Sequence, residues 1–472
     1  MNLLQALNTR TGFVVALLVL TALSAALRGI VITHPPTRVF DEVYSPVFAW
    51  KFLHHEPFFD VHPFLTQFSQ TVGLLLFGDT PLGWRFSAWL WGSVFIAGIG
   101  VFANALTGRR LVGVLASVLA MLDIAFFVYG RTGLPDMFLL ATFVWALAFF
   151  FLSARVQRTG FALVFALISG GLLGNLVATK WLGLGAIVLV WIWIGAGLLR
   201  GQRWPIPLPR IPQWLLPVCF LLVPILTYLL WTIPVVGIPG HTRAAVGEEL
   251  FQTPCTFGTS AKSVAAPPTT WLGRVRHWHC TVWNYHAQLT ATHPYGSPWW
   301  SWPILKHPVL FYLDTSATPT RRVSATGNPV LWWTGFAAVI GTTLFFLFRF
   351  FRFLLGLASG RASTDRAATV SAEGGGAREE VADASRAGFL DLWLVLGILG
   401  FWLPWALIQR VAFHYHYFLS FTLTVVLLAF WLARFLQHPR LRSAVFGFLL
   451  ATLISFVYLY PSATATSAPW LR

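Results

Sequence analysis

The sequence predicts an all-helical protein threaded many times through a membrane, and three observations predict it. Hydrophobic residues make up 57% of the 472 and charged residues only 10%, against roughly 25% charged in ordinary soluble domains. Apolar runs of about 20 residues, the length that spans a bilayer core, recur along the chain. Between them the basic residues fall in small groups at alternate connections, which is the pattern that sets membrane orientation. The net charge of +16 therefore reads as topology, and nucleic acid is excluded as a partner.

The candidate spans are residues 12–32, 86–107, 111–129, 134–153, 161–179, 181–199, 214–236, 330–350, 389–409, 415–435 and 443–460, eleven in all. The division of 161–199 requires a tight reversal at Thr179-Lys180. The basic groups are Arg109-Arg110, Arg155 with Arg158, Arg200 with Arg203 and Arg210, Arg349 with Arg352, and Arg434 with Arg440 and Arg442. They place the N-terminus and these connections in the cytoplasm of a plasma or inner membrane. The first run has Arg10 before it and Ser24-Ala25-Ala26 near its end, yet it reads as a retained anchor: cleavage there would detach it from the acidic pair that follows.

Three longer segments interrupt the spans. Residues 33–85 mix aromatic and apolar residues with His54, His55, Glu56, Asp60 and His62, which predicts amphipathic helices lying in the interface. Residues 237–328 form a large outside loop rich in Trp, His and Pro, and loops of that length are commonly functional. Residues 351–388 read as a disordered cytoplasmic linker, because Ser359 to Arg386 lacks aromatic residues. Cys255 and Cys280 both fall in the large outside loop and are candidates for a disulfide, whereas Cys219 lies in a span.

The stretch Phe40-Asp41-Glu42 sets two carboxylates just outside the first span. Ionisable groups recur at the same ends of other spans: Arg85, Asp123, Arg131, Asp136, Lys180, Arg410, His414 and His416. Burying such groups is costly, so each is a candidate for function unless it snorkels to the interface. Acids beside cations at the depth of lipid headgroups suit a glycosyl donor linked to a polyprenyl phosphate. Fixed cations stabilise the charge that develops on the departing phosphate, and a carboxylate takes the proton of the attacking hydroxyl. Neither G-x-S-x-G nor H-E-x-x-H is present, nor a Gly-rich phosphate loop. His414-Tyr415-His416 would point its imidazoles to different faces of a helix, a poor metal site. No motif requires a cofactor, and a divalent cation is left open.

The motifs in chain order resemble the protein O-mannosyltransferases. Phe40-Asp41-Glu42 is similar to that family's acidic motif, and Asp60-Val61-His62-Pro63-Phe64 to its D-x-H-P-P segment, with Phe64 in place of the second Pro. Gly83-Trp84-Arg85, Arg131 to Asp136, and Thr179-Lys180-Trp181-Leu182-Gly183 resemble its next three elements. The most specific match is His293-Pro294-Tyr295-Gly296-Ser297-Pro298-Trp299 with Trp302-Pro303, followed by Gly327-Asn328-Pro329-Val330 and His414 to Phe418.

The resemblance implies a single GT-C membrane domain over 1–472 and an inverting transfer of mannose from polyprenyl-phosphate mannose to Ser or Thr hydroxyls of secreted or membrane proteins. It implies Asp41 as the catalytic base with Glu42 sharing or positioning, and Arg85, Arg131 and Lys180 as ligands of the donor phosphate. His62, Asp136, His293, Tyr295, Arg410, His414 and His416 would line the site, on the extracytoplasmic face. Residues 237–328 are too short to hold the β-trefoil MIR insertion of eukaryotic members, which implies a bacterial-type member. The alternative is a related transferase acting on a lipid or glycan, as in aminoarabinose transfer to lipid A; the Pro, Trp and His pattern of 237–328 favours a protein acceptor. A transporter is disfavoured by the absence of an internal repeat and by charges set near one face.

Overall fold

The computed structural model describes residues 3–200, 208–237, 246–252, 255–256, 259–260, 268–317, 320–358 and 375–466. Ten of the described helices are long and apolar enough to cross a membrane. In chain order, the first span is α1 (Arg10–Gly29). The first outside loop then holds two helices, α2 (Ser45–Leu53) and α3 (Leu65–Phe77). The spans resume with α4 (Pro81–Thr107), the pair α5 (Arg110–Met121) and α6 (Ile124–Tyr129), α7 (Asp136–Arg155), α8 (Thr159–Thr179) and α9 (Leu184–Arg200). Beyond these come α10 (Leu215–Val236), the loop helix α11 (Trp271–Gln288), and α12 (Pro329–Ala358), α13 (Gly375–Trp402), α14 (Phe418–Phe435) and α15 (Arg442–Thr464).

The expected span 111–129 is not one helix. Asp123 stops α5 and caps α6, its Oδ1 accepting from Phe126 N at 2.9 Å. Its Oδ2 accepts from Asn328 N at 3.0 Å and Trp332 Nε1 at 2.7 Å, so the break is welded to the start of α12. A short polar side chain that bonds the local backbone favours a cap over a helix interior. The pair nonetheless runs the length of α1. Arg110 at its start donates to Asn8 O before α1, and Arg131 beyond its end donates to Val31 and His34 carbonyls after α1.

The reversal between α8 and α9 is a single 3₁₀ turn, Trp181–Gly183, after Lys180. A Cβ on Gly183 would lie 2.7 Å from Leu176 C, so only glycine lets the turn fold back on α8. Between α4 and α5 the backbones touch at Gly100 and Gly113; a Cβ on Gly113 would reach 2.5 Å from Gly100 O. Small residues at such crossings let membrane helices pack without a hydrophobic driving force.

The helices predicted for the first loop are present, but α3 is turned inside out. Thr66, Gln67, Ser69, Gln70 and Thr71 are buried, and Phe68, Val72, Leu75 and Leu76 face outward. In the large loop, Cys255 and Cys280 are joined as a disulfide that ties a short strand pair to α11. Farther on, β1 (Val309–Asp314) and β2 (Arg321–Ala325) form an antiparallel hairpin.

The expected linker 351–388 is shorter than composition suggested. α12 and α13 extend into it from both sides, because Ala, Glu and Arg are strong helix formers even where nothing apolar is repeated. Residues 359–374 and Arg203 lie outside the described residues.

Candidate active site

All the elements above converge on one end of the bundle, where the first outside loop turns back into it. Residues 40–43 form a 3₁₀ turn after Phe40, whose backbone sits at φ 47°. A bulky residue in that left-handed region is strained. It is held by rings: Phe40 stacks on Phe311 at 4.7 Å and meets Phe413 and His293 edge-on at 6.0 and 6.2 Å. The turn sends the two adjacent carboxylates in different directions.

Glu42 points inward and is fully buried. It accepts four hydrogen bonds: from Arg85 Nε and Nη2 at 2.8 and 2.9 Å, Gly133 N at 2.7 Å and Val39 N at 2.9 Å. Arg85 spends its remaining N–H groups on the carbonyls of Ile32, Pro35 and Thr37 at 2.8–3.0 Å. All five of its donors are taken. Arg131 is likewise committed to the carbonyls of Val31, His34 and Ala463. Arg85 and Arg131, both expected at a donor phosphate, are thus engaged by other groups in this structure. Buried guanidiniums need their charge and protons satisfied; the segment after α1 and the Glu42 carboxylate satisfy Arg85 fully, and the ends of α1 and α15 take the Arg131 Nη groups, leaving its Nε without a partner among the described residues. Glu42, expected to share or position for the base, has both oxygens occupied by these four bonds and ties the loop to Arg85 and Gly133.

Asp41 points the other way. Among the described residues its carboxylate has no hydrogen-bond partner, and burial pushes its pKa up to about 6. The Lys180 ammonium nearby pulls in the opposite direction and the Asp136 carboxylate adds to the rise. Lys180 Nζ donates to Asp136 Oδ1 at 2.7 Å and sits 5.1 Å from the Tyr415 ring centre. Lys180 is placed by the turn between α8 and α9, and Asp136 by the first residue of α7. Both side chains line a narrow slot with Leu139, Leu140, Leu182, Tyr415, His416 and Leu419.

The segment Asp60 to His62 closes another side. Asp60 accepts from His62 N at 2.8 Å and from Gln67 Nε2, while burial lifts its pKa to about 6. His62 is held well below the usual histidine value by burial, reinforced by the charges of Lys180 and Arg410. The Arg410 Nη1 donates to His286 Nδ1. Lys180 and Arg410 both bear on His62 and on His416.

The large loop forms the remaining wall. His293 Nδ1 accepts from Tyr295 N at 3.1 Å, and its ring packs on Phe413 at 5.1 Å and on Tyr295 at 5.7 Å. Ser297 N donates to Ala412 O at 2.8 Å, which docks this turn on the segment before α14. His416 stacks against Trp302 and Trp405 at 5.9 and 4.2 Å. His414, expected in the lining, is buried among Tyr129, Trp332 and Phe418.

Two neighbouring cavities of about 470 and 540 Å³ share Leu289, Thr290, Ile408, Gln409 and Arg410 in their walls. Backbone groups of Leu289–Thr292 and Gln409–Val411 make no backbone hydrogen bonds among the described residues. No set of three or more His, Cys, Asp or Glu side chains among the described residues is placed to hold a metal ion.

Sequence reasoning singled out Asp41, His62, Asp136, Lys180, His293, Tyr295, Arg410 and His416, and the structure brings these to one end of the bundle. It assigned no site role to Asp60, Gln67, His286 or Tyr415. The D-x-H spacing carried a signal for Asp60; His286 lay hidden among the histidines of α11, where spacing does not separate a ligand from a packing residue.

The C-terminal part of the chain, residues 272–471, matches the family model described as the C-terminal four TMM region of protein-O-mannosyltransferase. A Mycolicibacterium smegmatis protein named polyprenol-phosphate-mannose–protein mannosyltransferase is 27% identical over 366 residues, covering 66% of this chain and 68% of its own. Among solved structures, the Saccharomyces cerevisiae protein O-mannosyltransferase Pmt1-Pmt2 complex bound to the sugar donor superposes with a TM-score of 0.75 at 14% identity, over 98% of this chain and 92% of that one. ArnT from Cupriavidus metallidurans follows with a TM-score of 0.54 at 12% identity, over 96% and 76%. Motif order, helix arrangement and these likenesses agree on a GT-C fold like that of the protein O-mannosyltransferases, whose C-terminal region the chain matches over residues 272–471.

Proposed function

We propose that the protein is an inverting glycosyltransferase that moves mannose from polyprenyl-phosphate mannose to Ser or Thr hydroxyls of exported polypeptides. The observation that carries this reading is the unpaired Asp41 carboxylate, poised near pH 6 beside the Lys180–Asp136 pair. The acceptor oxygen attacks C1 of the mannose while its proton passes to Asp41. The bond from C1 to the phosphate oxygen breaks, and the electron pair leaves with polyprenyl phosphate, which gains a negative charge. One displacement inverts the anomeric centre.

With Arg85 and Arg131 engaged elsewhere, Lys180 and Arg410 are the cations that meet that phosphate. In this reading Asp136 holds Lys180 until the phosphate takes it. Fixed charges in a water-poor site act strongly on developing charge. The two joined cavities with unpaired backbone on both walls suit an extended acceptor polypeptide, which binds by adding backbone hydrogen bonds to a free edge. The name carried by the mycobacterial relative supports both donor and acceptor class.

The site end lies opposite the basic connections, and positive-inside bias supports a reaction on the extracytoplasmic face. The test is transfer of radiolabel from polyprenyl-phosphate mannose to a Ser/Thr-rich peptide by the purified protein, with Asp41→Asn alongside. Label in the peptide that vanishes in the variant supports the reading. Label that reaches only added lipid or glycan removes the protein acceptor.

A further inference from the structure

We propose that His286 is a positioning residue that fixes Arg410 toward the donor phosphate, an inference that rests on the role given to Arg410 above. His286 lies near the C-terminal end of α11, half-buried where three segments of the site meet. Its ring packs edge-on against Trp181, the residue after Lys180, at 6.4 Å. Its Nε2 stands 3.2 Å from the carbonyl of Val61, between Asp60 and His62. Its Nδ1 faces Arg410 Nη1.

The two contacts define the proton. A carbonyl oxygen only accepts, so Nε2 carries the hydrogen; a guanidinium nitrogen only donates, so Nδ1 offers its lone pair. Both are satisfied together by one neutral tautomer alone. An imidazolium would turn an N–H toward the guanidinium and release it. The ring thus does for Arg410 what a carboxylate would do, without adding a negative charge beside the phosphate site. A carboxylate there would compete with the phosphate for the same cation. Arg410 is otherwise on a segment, Gln409–Val411, whose backbone makes no backbone hydrogen bonds among the described residues. Its aim therefore depends on a side-chain contact.

The two amide variants separate positioning from packing, because each copies one ring nitrogen. In His286→Asn the side-chain oxygen occupies the place of Nδ1 and still accepts from Arg410. In His286→Gln the side-chain nitrogen occupies the place of Nε2 and keeps Val61 only. Full-length protein in lipid nanodiscs is assayed for kcat and for KM toward polyprenyl-phosphate mannose. His286→Leu and His286→Gln are expected to raise donor KM by roughly tenfold or more, as misaimed charged groups do, with His286→Asn recovering most of the loss. A donor KM in His286→Gln equal to wild type, with the loss in His286→Asn instead, would overturn the proposal and leave His286 as an anchor for Val61. Arg410→Ala run in parallel keeps the two ideas apart. Unchanged donor KM in Arg410→Ala sinks the assignment of Arg410 itself, whereas a raised KM there with wild-type values in His286→Leu sinks only the positioning role.

Discussion

Two acid–cation assemblies lie a few residues apart and are built on opposite principles. In the first, Glu42 and Arg85 saturate each other: four bonds to the acid, five from the cation, with almost no exposure of either. In the second, Asp41 is unbonded, Lys180 has a single carboxylate partner and Arg410 leans on an imidazole. The first is a closed account of charge and hydrogen bonds, which makes a rigid floor for a strained loop. The second is left incomplete, and incompleteness is what lets a substrate bind. Adjacent residues in a sequence therefore carry no shared role by adjacency; the 3₁₀ turn separates Asp41, unbonded among the described residues, from the saturated Glu42.

The comparison breaks first at Asp41. Asp41→Asn should lower kcat by roughly 10³, within the range for loss of a general base, while the protein stays folded. Because burial lifts the Asp41 pKa from 3.8 to about 6, the folded state holds its proton more tightly than the unfolded one. Stability from this group is full below about pH 4 and falls as pH rises through 6. The neutral amide removes that penalty, so the variant should melt at a higher temperature at pH 7, by up to about 3 kcal/mol at 1.36 kcal/mol per unit. A melting temperature below wild type would place Asp41 in the structural assembly.

Glu42→Ala should do the reverse. It leaves Arg85 buried and uncompensated, a loss of about 3–5 kcal/mol, seen as poor expression or a lowered melting temperature. A well-folded Glu42→Ala with wild-type donor KM and depressed kcat would return Glu42 to the chemistry. Lys180→Met is expected to raise donor KM by roughly ten- to a hundredfold, the worth of a charge-assisted hydrogen bond, with a smaller loss of stability from the Asp136 carboxylate left without its partner. Equal effects on melting and on KM would blur the line between the assemblies. The smallest effect is in pH. With Asp41 as base, kcat/KM should fall about tenfold per unit below pH 6 and hold level above it. A fall that begins near pH 4 would mean that Asp41 is an ordinary carboxylate in the free enzyme.

The spans were legible because twenty apolar residues have few other uses, and Lys180 was legible as a turn because its charge interrupts them. Asp123 was visible as an anomaly, but its task depended on Asn328 and Trp332, about 200 residues away. Arg85 and Arg131 show the same gap. A lone arginine at the end of a span looks alike whether it awaits a phosphate or closes the carbonyls of a neighbouring helix, and only the packed chain distinguishes the two. The partnership of His286 with Arg410 joins positions 124 residues apart and has no signature in spacing.

The reversed helix α3 has a consequence for how the protein must be handled. Its buried polar face includes Gln67, which holds Asp60, and its outward face is Phe68, Val72, Leu75 and Leu76. Neither face suits water, so the helix keeps its seat only while hydrocarbon covers the outer side. An outer face of this composition suits cover by acyl chains, on the far side of the helix from Asp60. Stripping lipid should remove that cover before it unfolds a single span, and the purified protein's activity becomes a property of the detergent or lipid chosen as much as of the chain.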